Sequence, residues 1–531
     1  MLLERFYRWR LGIMLSVVTG LAAILRFVNL GHPRDLVFDE YHYARQSYSM
    51  LHQGYPGRWV GEDQKDAFVN GDLSQLMESP DRTVHPPLGK WLIAPGMEMF
   101  GVNAFGWRFT AALFGTATVA IIALVAVKLF KSVLWGGIAG LFLAIDGQHI
   151  VHSRTALLDI FLTFFVVLAF AFLVFDRSFA KRRILSRAAA ERTRLGLKRT
   201  EPLPGYGPAS GLVWGPLRLR PWRLAAIISL GLACGVKWSA MFVAAFFLLG
   251  SAAWDLIDRR SIGVKNLTGG WLVRAAIPAF VATLVFLPLT YTATWASWFA
   301  SDHGYHRHWA ERHPDEGVQW LPEMWRSWVY YHQDSYDFHV NLTNEDFDHP
   351  YESHPEQWLL QLRPTAYHFN TVEGTEAQEL CGAEKCHAAQ HGIGHPLLWW
   401  LATPALFAAI WAAIRKRDQL AGTLAVGVLA GWLPWFMYPD RIIFQFYSVV
   451  FAPWMMLVLA WALKQFAQPP RLNGAWTRTG GIFHAAFVAA SLVLTGYFFP
   501  IWSGQWIPRE YWQAHMWIPN FELFGAKFGW I

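Results

Sequence analysis

Leu11 to Leu30 reads LGIMLSVVTGLAAILRFVNL, and shortly beyond it comes Phe38-Asp39-Glu40-Tyr41-His42-Tyr43. As a helix rising 1.5 Å per residue, the first stretch spans about 30 Å, the thickness of a bilayer's hydrocarbon core. It is longer than the apolar region of a secretory signal and has no small-residue cleavage site, so it is expected to stay as an anchor. An ionisable residue at the bilayer centre costs roughly 2.5–3.5 kcal/mol on insertion scales, so paired carboxylates at the membrane face need a reason. An interfacial turn with its charges in water would explain one acid. A pair flanked by aromatics and a histidine invites a chemical reading, and Asp39 and Glu40 form the candidate reaction centre.

The rest of the chain has the composition of a membrane protein. Of its 531 residues 54% are hydrophobic and 16% charged, where a soluble protein has about 25% charged. Apolar runs predict an all-α polytopic membrane protein with about eleven spans. They fall near 11–30, 107–128, 133–148, 156–175, 223–237, 239–256, 272–292, 396–414, 420–437, 442–463 and 481–499. The net charge of +7 does not point to nucleic acid, because most of the excess lies in short loops between apolar runs.

Those basic residues also orient the chain. Arg5, Arg8 and Arg10 precede the first span; Arg177 to Arg199 follow the fourth; Arg259, Arg260 and Lys265 follow the sixth; Arg415, Lys416 and Arg417 follow the eighth. The positive-inside rule then predicts a cytoplasmic N-terminus and an extracytoplasmic C-terminus. Residues 1–292 form an N-terminal transmembrane module with an external first loop, 31–106, and a basic cytoplasmic loop, 176–222. Residues 293–395 form a large external loop, read as a small ordered domain or lid. Residues 396–531 form a C-terminal transmembrane module with a Trp-rich external tail. The apolar stretch Trp91–Phe100 is too short to span and is expected to lie along the membrane or cap the bundle.

Cys381 and Cys386 lie in the external loop, where an oxidising setting favours a disulfide. Zinc is the competing reading, since His387, His391 and His395 follow at four-residue spacing. Cys234 sits in an apolar run and reads as a small core residue.

Polar residues recur at the external ends of spans: Arg108, Asp146, His149, Arg154, Asp159, Lys237-Trp238 and Asp440-Arg441. Each alone reads most simply as an interfacial anchor or a neutralised pair, Arg154 with Asp159 for example. Together on one face they make a basic basin beside the acidic pair. Such a basin suits a substrate with a phosphate at the interface and a neutral group to transfer. In glycosyl transfer from a lipid phosphate the leaving group departs as an ionised phosphate, so cations suffice there. A base is still required for the incoming hydroxyl.

Phe38-Asp39-Glu40-Tyr41-His42-Tyr43 resembles the first-loop acidic motif of protein O-mannosyltransferases, and Val84-His85-Pro86-Pro87-Leu88-Gly89-Lys90 resembles their His-Pro-Pro-Leu-Gly-Lys motif. Phe105-Gly106-Trp107-Arg108, Ser153-Arg154-Thr155-Ala156-Leu157-Leu158-Asp159, Gly235-Val236-Lys237-Trp238 and Arg441 match in order. The resemblance implies a GT-C fold, with transfer of mannose from a polyprenyl-phosphate mannose to Ser or Thr of exported proteins. It makes Asp39 the base, with Glu40 positioning the acceptor or the base. Arg108 would lie near the donor, and Lys237 and Arg441 would contact phosphate. His42, His85, Lys90, Arg154 and Trp238 complete the candidate substrate-binding set, His85 and Lys90 by shaping the site. No metal or other cofactor is implied. Thr83 stands where eukaryotic members usually have Asp, and residues 293–395 are too few for their β-trefoil domain. The chain therefore resembles a bacterial member of the plasma membrane with its site facing outside, acting alone or with a Sec translocon partner. Another GT-C transferase acting on a glycan or lipid acceptor is the alternative, and a transporter the remoter one. A transporter would show broken helices with midplane charges or paired halves.

Overall fold

The computed structural model describes residues 2–198, 201, 203, 220–263, 271–343, 349–469, 475–523 and 525–530. Of the basic residues named above, Arg199 and Lys265 lie outside them, as does most of the 199–219 part of the predicted loop. The chain is mostly helical. The helices that matter here are α1 (Leu2–Phe27), α2 (Glu40–Gln53), α3 (Leu88–Phe100), α4 (Ala104–Phe130), α5 (Val133–Ala144), α6 (Gly147–Ser153) and α7 (Asp159–Leu195). They continue with α8 (Pro221–Cys234), α9 (Ala240–Ser261), α10 (Ile277–Ala293), α11 (Glu323–Val340), α12 (Pro396–Arg415), α13 (Gln419–Trp432), α14 (Ala452–Ala467) and α15 (Arg478–Ser503).

Among the described residues, seven helices are long and apolar enough to cross a membrane, or eight if α5 and α6, bent by 64°, form one broken span. The helices α8 and α10 are apolar but shorter, at 14 and 17 residues. The run 442–463 is not one continuous helix. Arg441 and Ile442 bridge to Thr343 and Leu342 of the external segment, a 3-10 turn covers Gln445–Val450, and α14 begins only at Ala452. Its apolar character reflects burial inside protein, since Trp454 to Ala460 are all buried, and a short apolar run does not distinguish these cases. The stretch 176–195, expected as loop, continues α7 as helix.

The break between α5 and α6 frees backbone groups in an apolar setting, where unpaired ones are costly. Two charged side chains satisfy them. Arg26, buried in α1, donates to the carbonyls of Leu143 (3.3 Å) and Ala144 (3.0 Å) at the end of α5. Asp146 caps α6 by accepting from the His149 amide (3.0 Å), and also takes the His395 amide (3.0 Å) and Trp399 Nε1 (2.7 Å) of α12.

The helices α7 and α8 form an antiparallel pair fastened at both ends by ions. Lys237 Nζ meets Asp159 at 2.8 Å just past the end of α8, and Arg220 pairs with Asp176 at its start. From Asp159 to Asp176 the helix rises about 26 Å, close to a hydrocarbon thickness. At the Asp176 end, Arg220 and Arg223 pair with both Asp176 and Asp255, and nearby Asp258 pairs with Arg177 and Lys181.

The described residues of the 293–395 segment are partly β, a departure from the all-helical expectation. Strands β1 (Gly57–Trp59) and β2 (Leu76–Pro80) pair within the first loop. Strands β3 (Ala366–Glu373), β4 (Lys385–His391) and β5 (Trp506–Pro508) form an antiparallel sheet that joins the large loop to the tail. Cys381 and Cys386 form a disulfide at its turn. Cys234 is free and buried. His387 and His391 sit four residues apart on β4, about 13 Å along a strand, and His395 caps α12. Among the described residues no three His, Cys, Asp or Glu side chains are grouped to hold a metal.

Replacing Asp146 by Ala strips three buried donors of their acceptor. Thermal and denaturant unfolding of the solubilised protein should show a loss of about 3 kcal/mol or more; a loss under about 1 kcal/mol would remove Asp146 from this role.

Candidate active site

The loop between α1 and α2 is pinned by one buried ion pair. Arg108, on the first turns of α4, donates Nε to Glu40 Oε1 and Nη2 to Glu40 Oε2, both at 2.8 Å, with both side chains fully buried. The remaining guanidinium hydrogens go to the carbonyls of Leu30 (3.3 Å), Pro33 (2.6 Å) and Asp35 (2.8 Å). All five donors of the arginine are thereby used. Glu40 also accepts from the amides of Val37 (2.9 Å) and Ala156 (2.8 Å). Neither side chain has capacity left for a substrate.

Asp39 is the opposite case. It occupies the N-cap position of α2, yet its carboxylate makes no capping hydrogen bond. Among the described residues, its one side-chain hydrogen bond is from the Tyr43 hydroxyl at 3.5 Å. The preceding Phe38 has φ of 48°, a strained conformation for a bulky residue. The rings of Tyr367, Phe444 and Phe446 hold Phe38 edge-on. Burial pushes the Asp39 carboxyl above the ordinary range, against the nearby charges of Lys237 and His42. The result is a carboxylate held in place by its backbone and left open at its oxygens.

Asp39 does not itself line the adjacent cavity of about 180 Å³, but it interacts with the charges of Lys237 and Asp159, which do, and its partner Tyr43 lies against the lining residue His85 with ring centres 6.3 Å apart. The cavity's charged lining is Lys237, Asp159 and Arg441, with His85 and His339. Trp238, Trp435 and Tyr447 supply aromatic walls, and Phe242, Val243, Ala430 and Gly431 carry it between α9 and α13. The Lys237 ammonium lies 5.9 Å from the Phe446 ring centre and 5.6 Å from that of Tyr447. A cationic rim leading into an apolar cleft between two membrane-length helices matches the two halves of a lipid phosphate.

Three comparisons bear on this arrangement. The family model described as dolichyl-phosphate-mannose-protein mannosyltransferase matches residues 83–190, which carry the His-Pro-Pro motif, Arg108 and Asp159. The polyprenol-phosphate-mannose–protein mannosyltransferase of Mycolicibacterium smegmatis strain MKD8 is 36% identical over 528 residues, covering 98% of this chain and 94% of that protein. This chain belongs to the polyprenol-phosphate-mannose–protein mannosyltransferase family. The Mycobacterium tuberculosis CDC 1551 member is 34% identical over 526 residues, covering 98% of this chain and 93% of that protein. The S. cerevisiae protein O-mannosyltransferase Pmt1-Pmt2 complex bound to the sugar donor aligns with a TM-score of 0.67 over 97% of this chain and 93% of that one. At 13% identity that likeness shows the shared GT-C fold.

Within this mannosyltransferase the residues singled out from sequence divide into two groups. His85, Lys237, Trp238 and Arg441 line the cavity, and Asp39 stands beside it. His42 is exposed one helical turn beyond Asp39. Lys90 is buried beneath the cavity, donating to the His85 carbonyl at 3.1 Å, and burial pushes its pKa down to about 7. Glu40 and Arg108 are absorbed in each other. Arg154 is buried and donates to the carbonyls of Leu25, Arg26, Val28 and Asn29, closing the C-terminal end of α1. It does not pair with Asp159, whose partner is Lys237. Arg108 and Arg154 are therefore frame residues here, not donor contacts.

Sequence reasoning missed His339, Trp435 and Tyr447. His339 lies in a Trp- and His-rich segment with no periodic or motif signal to separate it from its neighbours. Trp435 and Tyr447 flank Arg441 and could have been found as aromatics near a cation.

The two acids should respond oppositely to neutral substitution. Glu40→Gln turns an amide toward donors and breaks a buried pair, so melting of the solubilised protein should show a loss of about 3–5 kcal/mol. Asp39→Asn should melt within about 0.5 kcal/mol of wild type. Equal behaviour of the two variants would contradict this division.

Proposed function

We propose that this chain transfers mannose from a polyprenyl-phosphate mannose to Ser or Thr hydroxyls of exported proteins, with Asp39 as the base. The observation that carries the reading is a carboxylate left open at its oxygens beside a cationic cavity that runs into an apolar cleft. The names of the full-length relatives supply the donor and the acceptor class. In this reading the polyprenyl chain lies between α9 and α13, and the phosphate meets Lys237 and Arg441. The acceptor oxygen attacks the anomeric carbon from the side of Asp39, the bond from that carbon to the phosphate oxygen breaks, and the bonding pair leaves with the phosphate. The hydroxyl proton passes to Asp39. One displacement inverts the anomeric centre, and the departing phosphate needs cations but no acid. Glu40 and Arg108 serve by fixing the loop that carries Asp39.

The same proposal includes the finer topology: eleven membrane segments, short ones included, with the N-terminus in the cytoplasm and the site outside the plasma membrane. The ion network around Asp176 and Asp255, at the end of the α7–α8 pair away from Asp39, supports this sidedness. The three-part division at 292/293 and 395/396 and a Sec translocon partner belong to the same picture. A glycan or lipid acceptor is the outcome that acceptor assays would reveal instead.

The test is transfer of labelled mannose from polyprenyl-phosphate mannose to a Ser/Thr-rich peptide by membranes containing the protein. Asp39→Asn should lower kcat by about 10²-fold or more, and Lys237→Ala and Arg441→Ala should chiefly raise the donor KM. An Asn variant with most of its activity would remove Asp39 as base.

A pH profile gives an independent check. Asp39 works only when deprotonated and its pKa is raised, so kcat/KM should fall as pH drops through a value above about 4, the ordinary aspartate range. A profile flat down to that ordinary range contradicts the assignment.

A further inference from the structure

His339, in the last turn of α11, joins three parts of the site that no motif connects. Its Nε2 lies 3.1 Å from the carbonyl oxygen of Val84, the residue before His85. A carbonyl only accepts, so Nε2 carries a hydrogen. Its Nδ1 lies 3.2 Å from Arg441 Nη2. A guanidinium only donates, so Nδ1 must offer a lone pair. The two partners select the same species, the neutral imidazole protonated on Nε2. Arg441 Nε also donates to the His339 carbonyl at 3.1 Å, so one residue holds the guanidinium by both side chain and backbone.

The imidazole is itself fixed. It stacks on His85 with ring centres 5.2 Å apart and meets the Trp238 ring at 6.0 Å. Burial and the charges of Arg441 and Lys237 push its pKa down to about 4, which keeps it neutral near pH 7. His85, His339, Trp238 and Arg441 all line the same cavity. Nη1 of Arg441 donates to nothing among the described residues.

We propose that His339 is a positioning residue: as the neutral Nε2-protonated imidazole it aims the Arg441 guanidinium into the donor cavity and registers it against the Val84-His85 loop. The large external segment thereby takes part in phosphate binding through a residue that does not itself need to touch the phosphate. An arginine on an otherwise irregular stretch between the 3-10 turns Leu433–Met437 and Gln445–Val450 would sample many rotamers; one fixed acceptor on Nη2 removes most of that freedom.

The inference rests on the donor reading above, and its test is chosen to separate the two. Full-length protein in lipid nanodiscs is assayed for mannose transfer and, separately, for binding of undecaprenyl phosphate alone. His339→Ala should raise the donor KM and the lipid-phosphate Kd about tenfold, with a smaller change in kcat. His339→Asn places an oxygen near the position of Nδ1 and should recover both to within about threefold. His339→Gln places its amide near Nε2 and should not. In an Arg441→Ala background, His339→Ala should change neither constant further.

Equal losses in the Asn and Gln variants, full additivity with Arg441→Ala, or an unchanged Kd in His339→Ala would each overturn the proposal. Wild-type protein that binds undecaprenyl phosphate but transfers no mannose would instead refute the donor sugar. The clamp would then still be judged on the binding series.

Discussion

The buried pair of Glu40 and Arg108 is the constraint on which the site depends. Two charges taken out of water cost several kcal/mol each, and attraction offsets that cost only when every remaining donor and acceptor is satisfied. Here the accounting closes: five guanidinium donors find five oxygens, and the carboxylate adds two backbone amides. The stretch from Leu30 to Glu40 is thereby fastened to α4 and, through Ala156, to the start of α7. Asp39 is immobilised by its neighbour without being used by it. A reactive carboxylate needs a fixed backbone and an open side chain, and adjacency to a fully committed glutamate supplies both.

The same economy recurs among the buried arginines. Arg26, Arg108 and Arg154 each donate to backbone carbonyls at a helix end or in an irregular loop. A planar group with five donors suits this task, because it can satisfy several diverging carbonyls at once. Broken and terminated helices in an apolar bundle leave such carbonyls exposed, and the arginines close them. Lys237 and Arg441 differ in being held from one side while facing a cavity. The cationic residues of the outer face thus separate into frame and rim.

Much of this was legible in the chain itself. Apolar length marked each of the long helices. The acidic pair, the His-Pro-Pro stretch, Lys237-Trp238 and Arg441 were visible as charges where apolar composition made them costly. The run 442–463 showed its apolar character but not its break before Ala452, because a backbone bridge to Thr343 and a 3-10 turn leave no mark in composition. Arg108 and Arg154 misled because a buried arginine's partner can be carbonyls from distant segments, which no local pattern encodes. His339 left no trace for the same reason, since its role lies in a contact 102 residues away.

Sequence alone determined that this is a membrane-spanning, mostly helical chain with an acid-bearing first loop. Hydrophobic period and length, and the expense of intramembrane charge, are local properties. It also placed the chain in its family, because a motif is a local string. Tertiary structure decided which charges are spent and which are open. Asp39 and Glu40 are adjacent and chemically alike; only the three-dimensional supply of donors, four at 2.8–2.9 Å around Glu40 against the Tyr43 hydroxyl alone at 3.5 Å from Asp39 among the described residues, makes one a brace and leaves the other open.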